Sequence, residues 1–465
     1  MLRKVSFNLL FLYLILFAVA CSKNDDTTST DQSSTKVDED GLEVITLTAL
    51  GRGSEETRLS NLQKAAEILN EELANESKKI EIETSFFDGS EDDYARQFIL
   101  AHQSGTSPDI YSTSHPNIGW LVEGGYIQPL DELKEMDAYS DVYPLLWDAV
   151  TLNGQVWAAL QDTEARPVFY SKNILREIGW SDEEIEDLPE KVKNGEFTLD
   201  DLIETAQEAM DKGVAKYGIL HRPVVGPDFQ LMLYLFGGTL YDPDEDKLVF
   251  DKQAVKKQLE FYHEINEKGL IPNGLLGMEW TNTHQMVVNE ETLFYFGGIW
   301  NVFNWSEDDY HREIGKVDGE WVEENLGMML VPAPEKGGEP KTLSQPYTYT
   351  VSSQSEHKDI ILRLLEIVIE PEYQTLHNIE TFHLPVTESA AEDPEFVEHV
   401  TLGKVSYMSE YTSFLPNHKD FPKYNNAVFS VIEQIQLTGM DPDQALEELE
   451  KLLNNDLGGD FITIE

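Results

Sequence analysis

Three observations predict an α/β fold. Between residues 43 and 111, short runs with β-type alternation are separated by amphipathic helical runs, the pattern of a domain built on a parallel sheet. A second stretch, beginning near Arg166, repeats that alternation. The chain has 465 residues, 41% hydrophobic and 10% aromatic, enough for two or three cores and too apolar for a mostly disordered polymer.

In chain order, the first element is a targeting segment. Arg3 and Lys4 precede an apolar run, residues 5–20, broken only by Ser6 and Asn8. A basic start, a short apolar centre and small residues before a break describe a secretory signal over residues 1–20. The run is shorter than the roughly 20 residues a spanning helix needs. It ends in Ala18-Val19-Ala20-Cys21, which resembles the bacterial lipobox, where the cysteine is lipidated through its thiol and becomes the first mature residue. Ala18 stands where lipoboxes usually carry Leu. Cys21 is the only cysteine, which excludes an internal disulfide framework and a zinc site of the paired-cysteine type. Residues 21–40 are Ser, Thr, Asp and Asn with few apolar groups; they cannot offset their ordering entropy and read as a disordered tether. No later stretch has 18 uninterrupted apolar residues, so the expectation is a soluble body held at the membrane by the Cys21 lipid alone.

The body opens with alternation from Glu43 to Leu50, a Gly51-Arg52-Gly53-Ser54 loop, and Leu59, Leu62, Ala66, Leu69 and Leu73 at helical spacing. Ile80, Ile82, Thr84 and Phe86 alternate again, and a helical stretch from Tyr94 to Gln103 leads to a third strand at Pro108-Asp109-Ile110-Tyr111. Ligands of such sheets sit beyond the carboxyl ends of the strands, around Arg52, Asp88 and residues 112–117. In the second region Pro167 to Tyr170 is a short strand. Thr198 caps a helix with Asp201 at the capping-box position, and Tyr217 to Leu220 is another strand. Leu293 to Ile299 is an apolar strand closing on Gly297-Gly298-Ile299-Trp300. Asp441-Pro442-Asp443-Gln444 starts a last helix, its buried face running from Ala445 to Leu453.

With 86 acidic and 34 basic residues the net charge is −52, which excludes a general nucleic-acid binder. Acid density of this kind fits a surface working in concentrated salt, where self-repulsion is screened, and we expect a salt-adapted bacterium. Asp242, Asp244 and Asp246 start like a calcium loop, but Lys247 and Gln253 stand where that loop needs Gly and Glu, so a turn between strands is expected. No metalloprotease helix, nucleophile elbow or phosphate loop is present, and no cofactor, metal or catalysis is expected.

Several motifs, in order, carry a resemblance: Ser104-Gly105-Thr106-Ser107-Pro108-Asp109-Ile110; Gly124-Gly125-Tyr126-Ile127-Gln128-Pro129-Leu130-Asp131; Asn153-Gly154-Gln155-Val156-Trp157; Phe169-Tyr170-Ser171-Lys172-Asn173; Gly298-Ile299-Trp300; Leu330-Val331-Pro332-Ala333-Pro334; and Phe382-His383-Leu384-Pro385-Val386. Together they resemble the extracellular solute-binding proteins of ABC importers, family 1, the maltose-binding-protein-like lipoproteins. The resemblance implies a two-lobed periplasmic-binding-protein-like fold of type II, with a hinge between the lobes and the ligand in the interlobe cleft. Lobe one would hold 41–163 and 338–370, lobe two 164–337 and 371–465. It implies a receptor on the extracellular face of the cytoplasmic membrane (periplasmic if there is an outer membrane). The receptor would deliver a mono- or oligosaccharide to an ABC permease with a separate ATPase. Receptors for a polyol phosphate, polyamine or peptide, and a glycan-capture protein without an importer, are the alternatives.

Sugars need aromatic plates and fixed polar groups. The resemblance places Trp300 as a stacking tryptophan, after two glycines that would let a ligand approach the backbone, and Tyr170 as another ligand aromatic. Asp162, Glu164 and Arg166 fall in the lobe crossing, as ligand contacts or as a paired hinge cluster. His115 and Asn117 occupy the ligand-loop position, and Tyr347 and Tyr349 lie on the strand returning to lobe one. Arg52, Asp88, His383 and Tyr424 are candidates by position alone. Trp157, Trp280 and Trp305 are read as core.

Overall fold

The computed structural model describes residues 36–53 and 57–465. The signal segment and Cys21 lie outside the described residues. Five longer strands form the first sheet, in the order Lys78–Phe87, Glu43–Arg52, Ile110–Ser114, Tyr347–Val351, Ala159–Asp162. The first three are parallel, with Ile45 opposite Ile80 and Ala49 opposite Ile110. Tyr347–Val351 runs antiparallel to both neighbours. Within the expected tether, Lys36 and Val37 pair antiparallel with Val44 and Glu43. The helix Thr57–Leu73 buries Leu59, Leu62, Ala66, Leu69 and Leu73, the face the spacing predicts.

The second sheet has the order Tyr217–Leu220, Thr292–Phe296, Val168–Ser171, Leu326–Met329, the first two parallel and the rest antiparallel. Thr292–Phe296 ends before Gly297, so the two glycines and Ile299 leave the sheet as a loop. The helix Leu199–Asp211 begins with the reciprocal capping box: Thr198 Oγ1 accepts from Asp201 N at 3.3 Å and an Asp201 carboxylate oxygen accepts from Thr198 N at 2.8 Å. Asp242–Asp246 turns between the antiparallel strands Tyr241–Asp242 and Lys247–Asp251.

The apolar side chains fall into two main clusters. One surrounds the first sheet and holds Leu47, Leu62, Ile80 and Ile110; the other surrounds the second and holds Phe169, Leu202, Ile219 and Phe294. Between them the chain crosses in segments around residues 163–167, 342–346 and 382–386. These lie side by side. Thr163 and Leu384 form an antiparallel bridge, the Thr163 and Ser344 hydroxyls share a hydrogen bond, and Arg166 N donates to Thr342 Oγ1 at 2.7 Å.

Beyond the third expected boundary the chain does not stay with the second lobe. The helix Pro371–Thr381 lies against Thr57–Leu73: Lys64 pairs with Glu380 at 3.1 Å and Gln374 donates to Gln161 O at 2.8 Å. Thr412–Phe414 pairs parallel with the crossing strand Thr342–Ser344, and Asn417 reaches Ala149 O at 2.5 Å. The expected division at residue 370 rested on motif order, which carries no information about which lobe a helix lies against.

Candidate functional site

The three crossings bring charged side chains into the space between the sheets. Ala159–Asp162 delivers Asp162 at its end, and the first turn of Thr57–Leu73 delivers Arg58 opposite it. Arg58 Nη1 donates to Asp162 Oδ2 at 2.5 Å, and both side chains are buried. The Arg58 guanidinium lies 3.7 Å over the Tyr347 ring and reaches His383 Nε2 at 3.1 Å. His383 Nδ1 donates to Thr381 O at 2.8 Å, which leaves Nε2 as the acceptor for Arg58. His377 Nε2 donates to the same Asp162 oxygen at 2.8 Å. Burial would push the Asp162 carboxyl up; Arg58, His383 and His377 together outweigh it and hold the group well below the usual carboxylate range. Burial pushes His383 down to about 4, so it is neutral at pH 7.

Two residues along the chain a second chain of charges begins. Glu164 Oε1 accepts from Arg166 Nη2. Arg166 Nη1 donates to Asp228 Oδ1 at 2.6 Å, and Arg222 Nη1 pairs with Asp228 Oδ2. Gln345 Oε1 accepts from Arg166 Nη2 at 3.2 Å. Burial pushes Glu164 up to about 7, against the Arg166 charge and with the help of Asp162. Burial, and the neighbouring Arg166 charge, bring Arg222 down to about 9.

Trp300 caps the helix Asn301–Glu307 and is half-buried. The Arg166 guanidinium sits 4.7 Å from its ring, and the His383 ring lies nearly parallel to it, 6.0 Å between centroids. Gly298, the second of the two preceding glycines, sits directly against the indole. A Cβ on Gly298 would fall 1.9 Å from the Trp300 ring, so the missing side chain makes room for the indole itself.

Asp162, Glu164, Arg166, Trp300, His383 and Tyr347 are therefore brought together. Others are not. Tyr170 lies in the second lobe's core with its hydroxyl donating to Ile185 O at 3.2 Å, and Tyr424 is fully buried in the same core. Both sit on regular elements whose buried face the aromatic ring fills. Tyr349 is also fully buried; its hydroxyl donates to Arg58 O and accepts from Gln161, so it supports Arg58 from beneath. His115 is buried, pushed down to about 4 by that burial, and its Nε2 donates to Leu415 O at 3.0 Å. Asn117 Nδ2 donates to Thr113 Oγ1 at 2.8 Å, and its Oδ1 accepts from Trp120 Nε1 at 3.0 Å. Arg52 lies at the sheet's carboxyl edge, 3.5 Å from Gly89 O, and Asp88 is exposed beside it.

Arg58, His377, Asp228, Arg222 and Gln345 were not singled out by the sequence. Their partners lie 104, 215 and 62 residues away for the Arg58–Asp162, His377–Asp162 and Asp228–Arg166 pairs, and no local spacing signals such contacts. Among the described residues there is no cluster of three or more His, Cys, Asp or Glu able to hold a metal ion, and no helix long and apolar enough to cross a membrane.

Residues 59–375 match the family model described as bacterial extracellular solute-binding protein. The galactooligosaccharide-binding protein of Bacillus subtilis (strain 168) is 22% identical over 359 residues, 74% of this chain and 76% of the relative. Maltose-bound MalE3 of T. maritima superposes with a TM-score of 0.70 at 18% identity, over 89% of this chain and 99% of that one. The cyclic alpha-maltosyl-1,6-maltose binding protein from Arthrobacter globiformis also gives 0.70, at 20% identity, over 89% and 99%. At these identities the solved structures establish the fold: two lobes of mixed α/β construction.

Proposed function

This chain belongs to the bacterial extracellular solute-binding protein family, and on that premise we propose that it is a lipid-anchored receptor for a carbohydrate. The sugar is held between the lobes, which close about the three crossings, and is delivered to the permease of an ABC importer driven by a separate ATPase. The observation that carries the reading is the grouping of one half-buried indole, Trp300, with fixed donors and acceptors on Arg166, Glu164 and Gln345. A sugar ring presents an apolar face to an aromatic plate and hydroxyls to groups whose geometry is already set. The cluster is balanced, with Arg58, Arg166 and Arg222 set against Asp162, Glu164 and Asp228, which favours a neutral solute over a phosphate or a polyamine. Relatives named for galactooligosaccharides and maltose support the same class.

The test is a thermal-shift screen of residues 22–465 in molar salt against sugars, amines, peptides and phosphates. A ligand at 100 times its Kd stabilises the folded state by about 2.7 kcal/mol. A raised midpoint with one sugar class is the expected result; shifts only with amines, peptides or phosphates would keep the family and replace the ligand. For the anchor, Cys21→Ser should release the protein from the membrane fraction. Retention of that variant at the membrane would overturn lipidation at Cys21.

A further inference from the structure

From the structure we infer that the small cavity lined by Arg166 and Arg222 in the second lobe is a halide site, holding one chloride or bromide ion between the two guanidinia. The cavity has a volume of about 20 Å³. That is room for one occupant of about the size of a water molecule, and too little for sulfate, phosphate or an organic anion. Arg166, Arg222, Asp228, His221 and Tyr262 supply its polar wall; the remainder is apolar, with the rings of Phe229 and Phe296. The inference stands whichever solute the cleft takes.

The side-chain donors of this wall outnumber its acceptors. Arg166 Nη1 donates to Asp228 Oδ1 at 2.6 Å and Nη2 to Glu164 and Gln345, whereas Nε is buried with no acceptor. Arg222 Nε donates to Val224 O at 2.9 Å and Nη1 to Asp228; Nη2 has no acceptor among the described residues. The Tyr262 hydroxyl has none there either, although the residue is buried. No side-chain acceptor of the wall stands ready for these groups. Each Asp228 oxygen already takes a guanidinium, and His221 donates from Nδ1 to Arg222 O at 2.9 Å and accepts at Nε2 from Gln436 at 2.7 Å. Buried donors without acceptors call for a partner. A water molecule would accept from them but bring two protons of its own to a largely apolar wall. A halide accepts and donates nothing.

The charge of the wall agrees. It holds two guanidinia and one carboxylate, and His221 is neutral at pH 7, pushed down to about 4 by burial. Glu164, the other carboxylate on Arg166, is not part of the wall. One positive charge is therefore left over, inside a chain whose net charge is −52. The surplus is felt at Arg222, which burial and then the neighbouring Arg166 charge bring down to about 9. A single anion between the guanidinia answers both the spare donors and the spare charge. Among common anions only a monatomic halide combines one charge with that size. Seated there, it fixes Arg166, whose guanidinium lies 4.7 Å from the Trp300 ring, and so ties the candidate ligand site to the ion.

Two measurements on the native chain test this. The first follows its thermal midpoint as sodium chloride replaces sodium gluconate at constant total sodium, which holds general screening fixed. A saturable rise of about 1–3 °C is expected, as for any ligand that binds only the folded state. The second is diffraction from crystals grown in sodium bromide, which should show one anomalous peak in the cavity beside Arg166, Arg222 and Tyr262. Tyr262→Phe removes one donor and leaves both guanidinia in place. Its midpoint in gluconate should match that of the native chain, and its half-saturating chloride concentration should rise about 10-fold. A chloride response that is absent or never saturates would overturn the site, as would a cavity that takes a water molecule and no bromide. A bromide peak without a chloride-dependent midpoint would be an adventitious ion only, and unchanged half-saturation in Tyr262→Phe would put the ion elsewhere; either ends the proposal. None of these outcomes bears on the receptor reading, which the sugar screen tests separately.

Discussion

Asp162 and Glu164 are two carboxylates, two residues apart on one crossing segment, both buried, and their environments drive them in opposite directions. Asp162 faces the first lobe, where the Arg58 guanidinium and the His377 imidazole both donate to it and hold it ionised. Glu164 faces the second, where Arg166 divides its charge between Glu164 and Asp228; burial prevails and the carboxyl rises to about 7. The difference lies in how many opposing dipoles and charges each side chain collects. A buried charge with its donors satisfied is a fixed strut, whereas one with a shared donor can change state when the site around it changes. On this comparison the first-lobe side of the crossing is the fixed part, and the second-lobe side, with Arg166 and Trp300, is the responsive part.

The sharpest way to break the comparison is to remove one donor. Arg58→Met leaves Asp162 buried without its guanidinium and should cost about 3–5 kcal/mol of unfolding free energy, read by denaturant titration. Glu164→Gln keeps an acceptor for Arg166 and removes a charge that is half absent at pH 7, so it should cost less than about 1 kcal/mol. Equal losses would mean that the two carboxylates are alike.

The next effect is in the pH dependence. Glu164 has a folded value raised from 4.5 to about 7, so its contribution to stability is complete below about pH 4.5 and is lost as pH rises through 7. The native chain should therefore lose stability between about pH 5 and 8, and Glu164→Gln should remove on the order of 1–3 kcal/mol of that slope. His383 behaves with the other sign. Pushed down to about 4 by burial, it contributes stability in full above about pH 6.5 and loses it as pH falls towards 4. His115, buried at the Leu415 contact, does the same. His115→Gln should flatten the acid limb and leave the alkaline limb, whereas Glu164→Gln should do the reverse. A single variant that moved both limbs would show the two sides to be one coupled cluster.

How much of this was legible in the sequence follows from the range of each contact. The strand at Glu43, the helix face from Leu59 to Leu73, the Thr198 capping box and the hairpin turn at Asp242 depend on neighbours a few residues away, and each is where local pattern puts it. Trp300, Glu164 and Arg166 were singled out because they sit at landmarks of the family resemblance, and the fold groups them at the crossing. Arg58, His377 and Asp228 carry most of the electrostatics, yet nothing in their local sequence distinguishes them from the many surface charges of this chain. Tyr170 and Tyr424 show the converse: an aromatic residue at a plausible place becomes core when its element turns it inward. Trp280 was read as core because tryptophan usually is; it is 37% exposed, with the Arg222 guanidinium 5.6 Å from its ring.

The smallest expected effects are at the outer seam, and they test whether the lobes are held shut at the crossing or around it. Lys419 reaches Glu123 of the first lobe at 2.9 Å, with both side chains about half exposed. A pair in that setting contributes at most about 1 kcal/mol, and molar salt screens it. Lys419→Ala should therefore leave stability within about 0.5 kcal/mol of the native chain and leave sugar affinity unchanged in molar salt. At the crossing, Ser344→Ala removes the partner of the Thr163 hydroxyl, in a place where neither group reaches water. That variant should cost about 1–2 kcal/mol, and the cost should not depend on salt. The ratio between the two variants measures where the lobes are joined. If Lys419→Ala proved the costlier, and more so at low salt, the seam rather than the crossing would hold the lobes, and the fixed side of the comparison would have to be sought there instead of at Asp162.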